Sequence, residues 1–151
     1  MKIESVIEPN IEIQNLQEKL LSELSSLLPN SHIELVGAMA VPMIGRPEID
    51  IMIISEDIEN DSFKLVNEEY VQGPVEKGIS YLKKMQDDIE VGIQIMSPDN
   101  NMINIHRNII LKLRENESLR NKYEEFKKTL SGLSRDEYKK QKSAWIRENL
   151  I

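Results

Sequence analysis

The residues that could do chemistry in this chain lie between Gly37 and Asp50. Gly37 directly follows a short predicted strand, and a glycine at that point lets backbone N–H groups approach a phosphate. Arg46 would add a guanidinium group, whose geometry suits phosphate oxygens. The alternative for this loop is a rigid connection with Arg46 in solvent. Asp50 lies within the next apolar strand, where an unpaired carboxylate is costly. We therefore expect it to bind a metal ion, pair with a cation or line an open cleft.

Two neighbouring positions are apolar where such a site would use polar atoms. Ala38 supplies no hydroxyl after Gly37, although its backbone could still contact a phosphate. Met52 shares the strand face of Asp50, but a thioether is a poor ligand for Mg²⁺. We predict that Gly37, Ala38 and Arg46 bind a nucleotide and that Asp50 is both the catalytic carboxylate and a metal ligand.

A second metal-binding carboxylate is expected on a later strand. Residues 89–95 alternate apolar and polar side chains, which places Glu90 on the polar side of that strand. Asp50 and Glu90 together could hold one Mg²⁺, but two carboxylates are too few for a pair of tightly held metal ions. The alternative is that Glu90 faces solvent.

The elements that must position these residues follow from periodicity. Residues 10–28 have the spacing of an amphipathic helix, and His32–Val36 and Ile49–Ile54 have the composition of strands. We expect Phe63, Val66 and Tyr70 on one face of a short helix that ends near Gly73-Pro74, then an edge strand over residues 78–82. Residues after 102 have helical patterns. The sequence predicts an α+β fold, a mixed sheet flanked by helices with a helical C-terminal part, as one domain over residues 1–151.

Charge is distributed unevenly along the chain. The net charge of −7 argues against a general nucleic-acid-binding surface. Residues 1–106 hold 7 Lys and Arg against 19 Asp and Glu, whereas residues 107–151 hold 12 against 7. The basic part would face a phosphate, face the acidic half of the same fold, or form solvated helix faces.

With no cysteine, thiolate chemistry is excluded. No apolar run is long enough to span a membrane and no secretory signal is visible, so we expect a cytoplasmic protein without a membrane partner.

The loop and the C-terminal helices resemble the GrpB-like family. Its members usually carry Gly-Ser-Thr-Ala-Val-Pro-Gly-Leu and then Lys-Pro-x-Ile-Asp-Ile. Here residues 37–42 are Gly-Ala-Met-Ala-Val-Pro and residues 46–51 are Arg-Pro-Glu-Ile-Asp-Ile. The family's later Leu-Arg, Tyr, Leu-Lys and Tyr-Lys spacing is matched by Leu113-Arg114, Tyr123, Phe126-Lys127, Tyr138-Lys139-Lys140 and Lys142. The resemblance covers about residues 10–148 and implies a nucleotidyltransferase-superfamily fold. The biochemical role of the family is poorly defined.

The chain departs from the family where chemistry would be expected. Ala38 replaces the usual serine, Met39 the threonine, Leu35 the histidine and Met43 the glycine, and Met52 stands where an aspartate is common. Positions that build the fold match better than positions that would do chemistry. This pattern is typical of a fold kept while its active site degenerates.

Three functions fit these residues. The first is a nucleotide-binding protein whose Mg²⁺-dependent nucleotidyl transfer is weak or lost. The second binds a nucleotide or other phosphorylated small molecule without catalysis. The third is a protein-interaction module that uses Met39, Met43 and Met52 as an apolar lining. The sequence leaves open whether the chain is an enzyme, which nucleotide or acceptor it uses, and its oligomeric state.

Overall fold

The computed structural model describes residues 11–37 and 48–151. In chain order its elements are α1 (Ile11–Leu27), β1 (His32–Val36), β2 (Glu48–Ile54), α2 (Ile58–Asn67), β3 (Val71–Glu76), β4 (Ile79–Gln86), β5 (Ile89–Met96), α3 (Met102–Glu115), α4 (Glu117–Thr129) and α5 (Arg135–Asn149). The described strands form one sheet in the order β1-β2-β5-β4-β3. The β2–β5 pair is parallel and the other pairs are antiparallel, so the sheet is mixed.

The register of β2 and β5 decides which side chains share a face. Glu48 lies opposite Glu90, and Asp50 lies opposite Gly92. Because residues opposite each other point to the same side of a sheet, these four residues share one side, called here the charged face. The other side, called the aliphatic face, carries the intervening residues: Ile49, Ile51, Ile53, Val91, Ile93 and Ile95.

Each face has its own cover of helices. Leu16, Leu20 and Leu24 of α1 and Leu65 of α2 are buried in one core with the aliphatic face. A second core joins buried residues of the sheet to α3, α4 and the C-terminal end. In this second core, Trp145 of α5 stacks on Tyr123 of α4 with their ring centroids 4.7 Å apart. The helices that follow residue 102 thus form the layer over the charged face.

Two predictions about the middle of the chain are wrong. The short helix ends at Asn67, and Gly73-Pro74 lies in β3, the exposed edge strand. Proline is tolerated there because an edge strand leaves some N–H groups unpaired. The strand predicted at the edge, over residues 78–82, is the start of β4, which lies between β3 and β5.

The buried side of α2 also differs from the prediction. Phe63 is 66% exposed, whereas Asp61, Ser62 and Leu65 are buried. Asp61 accepts a hydrogen bond from the Ser31 hydroxyl, and the Ser62 and Ser80 hydroxyls are 2.9 Å apart. Polar pairing therefore determines which side of α2 is inside.

The α+β class, with a mixed sheet and a helical C-terminal part, is confirmed. The aliphatic side of the strand over residues 89–95 is also confirmed. The extent of the domain, residues 1–151, stays a prediction. Within residues 11–37 and 48–151, no helix is both long and apolar enough to cross a membrane.

Candidate functional site

A cavity of about 660 Å³ lies between the charged face and the C-terminal helices. Three carboxylates line it from the sheet: Glu48, Asp50 and Glu90. Five cationic side chains also line it within the described part of the chain: Lys83, Arg135, Lys139, Lys142 and Arg147. A chain with a net charge of −7 therefore surrounds this cavity with more cations than carboxylates.

Two glycines make room for the Asp50 carboxylate. A Cβ added at Gly37 would lie 2.5 Å from Asp50 Oδ2, and one added at Gly92 would lie 3.1 Å from Asp50 Oδ1. Gly37 also has a φ of +75°, which a side chain rarely tolerates. These glycines explain how a carboxylate fits within an otherwise close-packed sheet.

The carboxylates on either side of Asp50 are paired with cations of α5. The Lys142 Nζ lies 3.2 Å from Glu48 Oε1, and Arg135 donates to Glu90 Oε1. All four side chains are less than one quarter exposed. Arg135 and Lys142 are seven residues apart, about two helical turns, so they project from the same side of α5. The basic C-terminal part therefore does face the acidic sheet at these positions.

Lys142 is a charged group in a largely buried setting. Burial by itself lowers the pKa of Lys142, but interactions with Tyr123 in its ionised form and with the Glu48 and Asp50 carboxylates outweigh this effect and raise it above the ordinary lysine value. Burial raises the pKa of Tyr123 to about 12, although Lys142 opposes that rise. At neutral pH the site thus holds an ammonium ion beside a protonated phenol.

Lys127 of α4 differs from the other lysines of this region. Its side chain is fully buried, and within the described part of the chain its Nζ has no hydrogen-bond partner. The Nζ lies 4.5 Å from the centroid of the Tyr123 ring. Burial, followed by repulsion from Lys142, lowers the pKa of Lys127 to about 7. Near neutral pH this amine is therefore only partly protonated, and a nearby anion would raise its pKa.

His106 lies on the α3 side of the cavity. Its Nε2 is 3.2 Å from the Gln94 Oε1 of β5, and burial lowers its pKa while Glu34 opposes the effect. The neutral imidazole is thus favoured at neutral pH. His106 thus connects α3 to the sheet through Gln94, whose side chain lies on the same side of the sheet as Asp50.

The charged face does not fit a preformed magnesium site. Asp50 and Glu90 point to the same side of the sheet, as a shared metal would require, but Glu90 is held by Arg135. No group of three or more His, Asp or Glu side chains within residues 11–37 and 48–151 could hold a metal ion. Met52, which occupies the strand position where a second metal ligand beside Asp50 would be expected, is a fully buried thioether. Mg²⁺ binding at Asp50 and Glu90 stays a prediction.

The predicted site residues are only partly within the described chain. Gly37, Asp50 and Glu90 come together at the cavity. Ala38 and Arg46, as well as Met39 and Met43, lie outside the described residues, and their predicted roles stay predictions. The complete burial of Met52 removes it from the apolar lining suggested for an interaction surface.

Sequence reasoning missed several members of the site. Glu48 is two residues before Asp50, and the same two-residue period that directed attention to Met52 points to it. Lys142, Tyr123 and Lys127 matched the family pattern but had no assigned role. Nothing in the local sequence pairs Lys142 with Glu48, which lies 94 residues earlier.

Comparisons with known proteins agree with this architecture. The GrpB protein family model matches residues 5–150. The crystal structure of conserved protein GrpB from Enterococcus faecalis matches with a TM-score of 0.83 and 26% identity, covering 95% of this chain and 93% of that one. No match was found among curated proteins.

A more distant likeness concerns the fold alone. A cytoplasmic RNA terminal U-transferase matches with a TM-score of 0.50 and 15% identity over 72% of this chain. This chain spans 35% of the length of that transferase. The fold is therefore nucleotidyltransferase-like, and the chain belongs to the GrpB family.

Proposed function

We propose that this chain binds a nucleotide, or another phosphorylated small molecule, in the cavity between the charged face and α3–α5. The proposal rests on the lining of this cavity, where the described residues place five cationic side chains against three carboxylates. Two of the cations pair with sheet carboxylates, while Lys83 and Arg147 are exposed at the cavity. Phosphate groups bind where such cations converge.

The size of the cavity supports a small-molecule ligand. Its volume of about 660 Å³ is within the range of roughly 300–1,000 Å³ that is usual for ligand pockets. Apolar side chains such as Ile105 and Ile109 line it beside the charged groups, as a base and a phosphate chain would require. The likeness to an RNA terminal U-transferase favours a nucleotide over other phosphorylated compounds.

Gly37, Ala38 and Arg46 are the proposed contacts to the phosphate chain. Gly37 adjoins Asp50, which lines the cavity, so a ligand bound there would lie near the start of this loop. We assign Asp50 as the catalytic carboxylate in any residual nucleotidyl transfer. Catalysis is expected to be weak or lost, because the flanking carboxylates are engaged by Lys142 and Arg135.

Thermal unfolding tests the binding proposal. ATP, GTP, CTP, UTP and inorganic tripolyphosphate are each added in EDTA and again with Mg²⁺. We expect at least one of them to raise Tm in EDTA, because ligand at 100 times its Kd stabilises the folded state by about 2.7 kcal/mol.

Adjacent lysines of α5 provide a matched pair of variants. Lys139 lines the cavity, whereas Lys140 is exposed and is not among the lining residues. Lys139→Ala should reduce the ligand-induced shift and Lys140→Ala should leave it unchanged. No shift with any ligand, or equal losses in the two variants, would reject the proposal.

A separate assay addresses catalysis. Release of pyrophosphate from each nucleoside triphosphate is measured with Mg²⁺ and with Mn²⁺ for the natural chain and for Asp50→Asn. We expect little or no release from either protein. Rapid release that disappears in Asp50→Asn would show that catalysis has been retained.

A further inference from the structure

Three carboxylates on the charged face lie close enough to repel one another. Glu48 is directly opposite Glu90, and Asp50 is two residues along the same strand from Glu48. Like charges opposite each other destabilise a sheet, so this arrangement needs compensating positive charge. In a metal-dependent site, divalent cations would supply that charge.

In this protein, two side chains of α5, Lys142 and Arg135, supply the positive charge. Lys142 Nζ is 3.2 Å from Glu48 Oε1 and also interacts electrostatically with Asp50. Arg135 neutralises Glu90. The Lys142 ammonium therefore contacts Glu48 and lies within electrostatic reach of Asp50, and the spacing of these two carboxylates directs both to the same side of β2.

The loop that follows Gly37 cannot restore a carboxylate set for a metal. Residues 38–47 contain no Asp, Glu or His. A metal held by Asp50 together with a second sheet carboxylate would thus have to displace Lys142 from Glu48 or Arg135 from Glu90. A cation that is part of the chain thus already neutralises Glu48, the carboxylate nearest to Asp50 along β2.

We propose that the ammonium group of Lys142 replaces the divalent cation at Glu48 and Asp50, which makes the site independent of metal ions. Lys142 is thus a positioning residue that holds the two carboxylates together and leaves the cavity net positive for an anionic ligand. This inference goes beyond the proposed function, because it concerns the protein without any nucleotide.

Binding of Mn²⁺ alone, followed by electron paramagnetic resonance of the free ion, tests the inference. The natural chain should bind Mn²⁺ no more tightly than does its Asp50→Asn variant. Lys142→Met should bind it at least tenfold more tightly than the natural chain, because Glu48 and Asp50 become available as ligands. The control Lys140→Met removes a charge from the same helix away from these carboxylates and should gain nothing.

A second substitution covers the case in which Lys142→Met fails to fold. Lys142→Gln keeps a hydrogen-bond donor for Glu48 but removes the positive charge, and it should show a gain in the same direction. Tight Mn²⁺ binding by the natural chain that is lost in Asp50→Asn would overturn the inference, as would a folded Lys142 variant with no gain. Neither result depends on whether a nucleotide binds, so failure here is distinct from failure of the proposed function.

Discussion

On one side of the β2–β5 strand pair, six isoleucine and valine side chains pack against α1 and α2. On the other side, the same two strands place Glu48, Asp50 and Glu90 against α5. The aliphatic face gains stability from any well-packed apolar cover. The charged face needs cations at defined positions, which it takes from a helix far away in the sequence. The difference separates a surface that builds the fold from one that is suited to a ligand.

The largest expected effect is on the aliphatic face. Ile51→Ala should lower the free energy of unfolding by about 4 kcal/mol, within the range of 2–5 kcal/mol for removing much of a buried isoleucine. Chemical denaturation measures the loss. Ligand affinity of the folded variant should not change, because Ile51 points away from the cavity. A stability loss below about 1 kcal/mol, or a weaker ligand affinity, would contradict the assignment of stability to the aliphatic face and of ligand binding to the charged face.

The next prediction is a gain in stability on replacing the buried lysine of α4. Lys127→Met should raise the free energy of unfolding by about 3 kcal/mol at pH 6, since it removes a buried amine while keeping a similar volume. The pKa of Lys127 is about 7 in the folded state and near 10.5 when unfolded. The unfolded state therefore binds more protons between these values, and the natural chain gains stability as pH rises.

Denaturation of both proteins from pH 6 to pH 10 tests this prediction. The penalty is fully present below pH 7 and fades between pH 7 and 10.5, so the advantage of Lys127→Met should shrink as pH rises. A stability gain of Lys127→Met that is the same at every pH would mean that protonation of Lys127 does not destabilise the folded state. A loss of stability would mean that its amine has a favourable partner.

A smaller effect distinguishes the crowding around Asp50 from backbone strain. Gly37 and Gly132 both have positive φ, but only Gly37 has a neighbour, Asp50, within 4 Å of an added Cβ. Gly132→Ala should cost about 1 kcal/mol from strain alone. Gly37→Ala should cost about 1–2 kcal/mol more, because the added Cβ overlaps the Asp50 carboxylate, and it should also weaken ligand binding. Equal costs from urea denaturation would mean that Asp50 is not held between Gly37 and Gly92.

Periodicity was enough to predict the elements with strong apolar patterns. The amphipathic α1, the β2 strand and the alternating β5 were predicted correctly because their burial follows the residue period. The pattern failed at α2, where a hydrogen bond to Asp61 and the Ser62–Ser80 contact draw polar residues inward. It failed again at β3, because Gly73-Pro74 has the composition of a turn but lies on an exposed edge.

The site was less predictable than the fold. Asp50 and Glu90 could be proposed because a carboxylate in an apolar strand is costly. Their cations could not be assigned, since the pairs with Lys142 and Arg135 depend on where α5 packs. Lys127 could not be identified either, because one lysine on a helix gives no local sign of complete burial.

Hydrogen–deuterium exchange, measured in EDTA with and without a stabilising nucleoside triphosphate, tests whether the charged face and its helical cover bind a phosphorylated ligand without a metal ion. We expect slower amide exchange in α5 and β4, which provide the cavity cations, and unchanged exchange in α1. No change in any element, or slower exchange mainly in α1 and α2, would contradict ligand binding at the charged face.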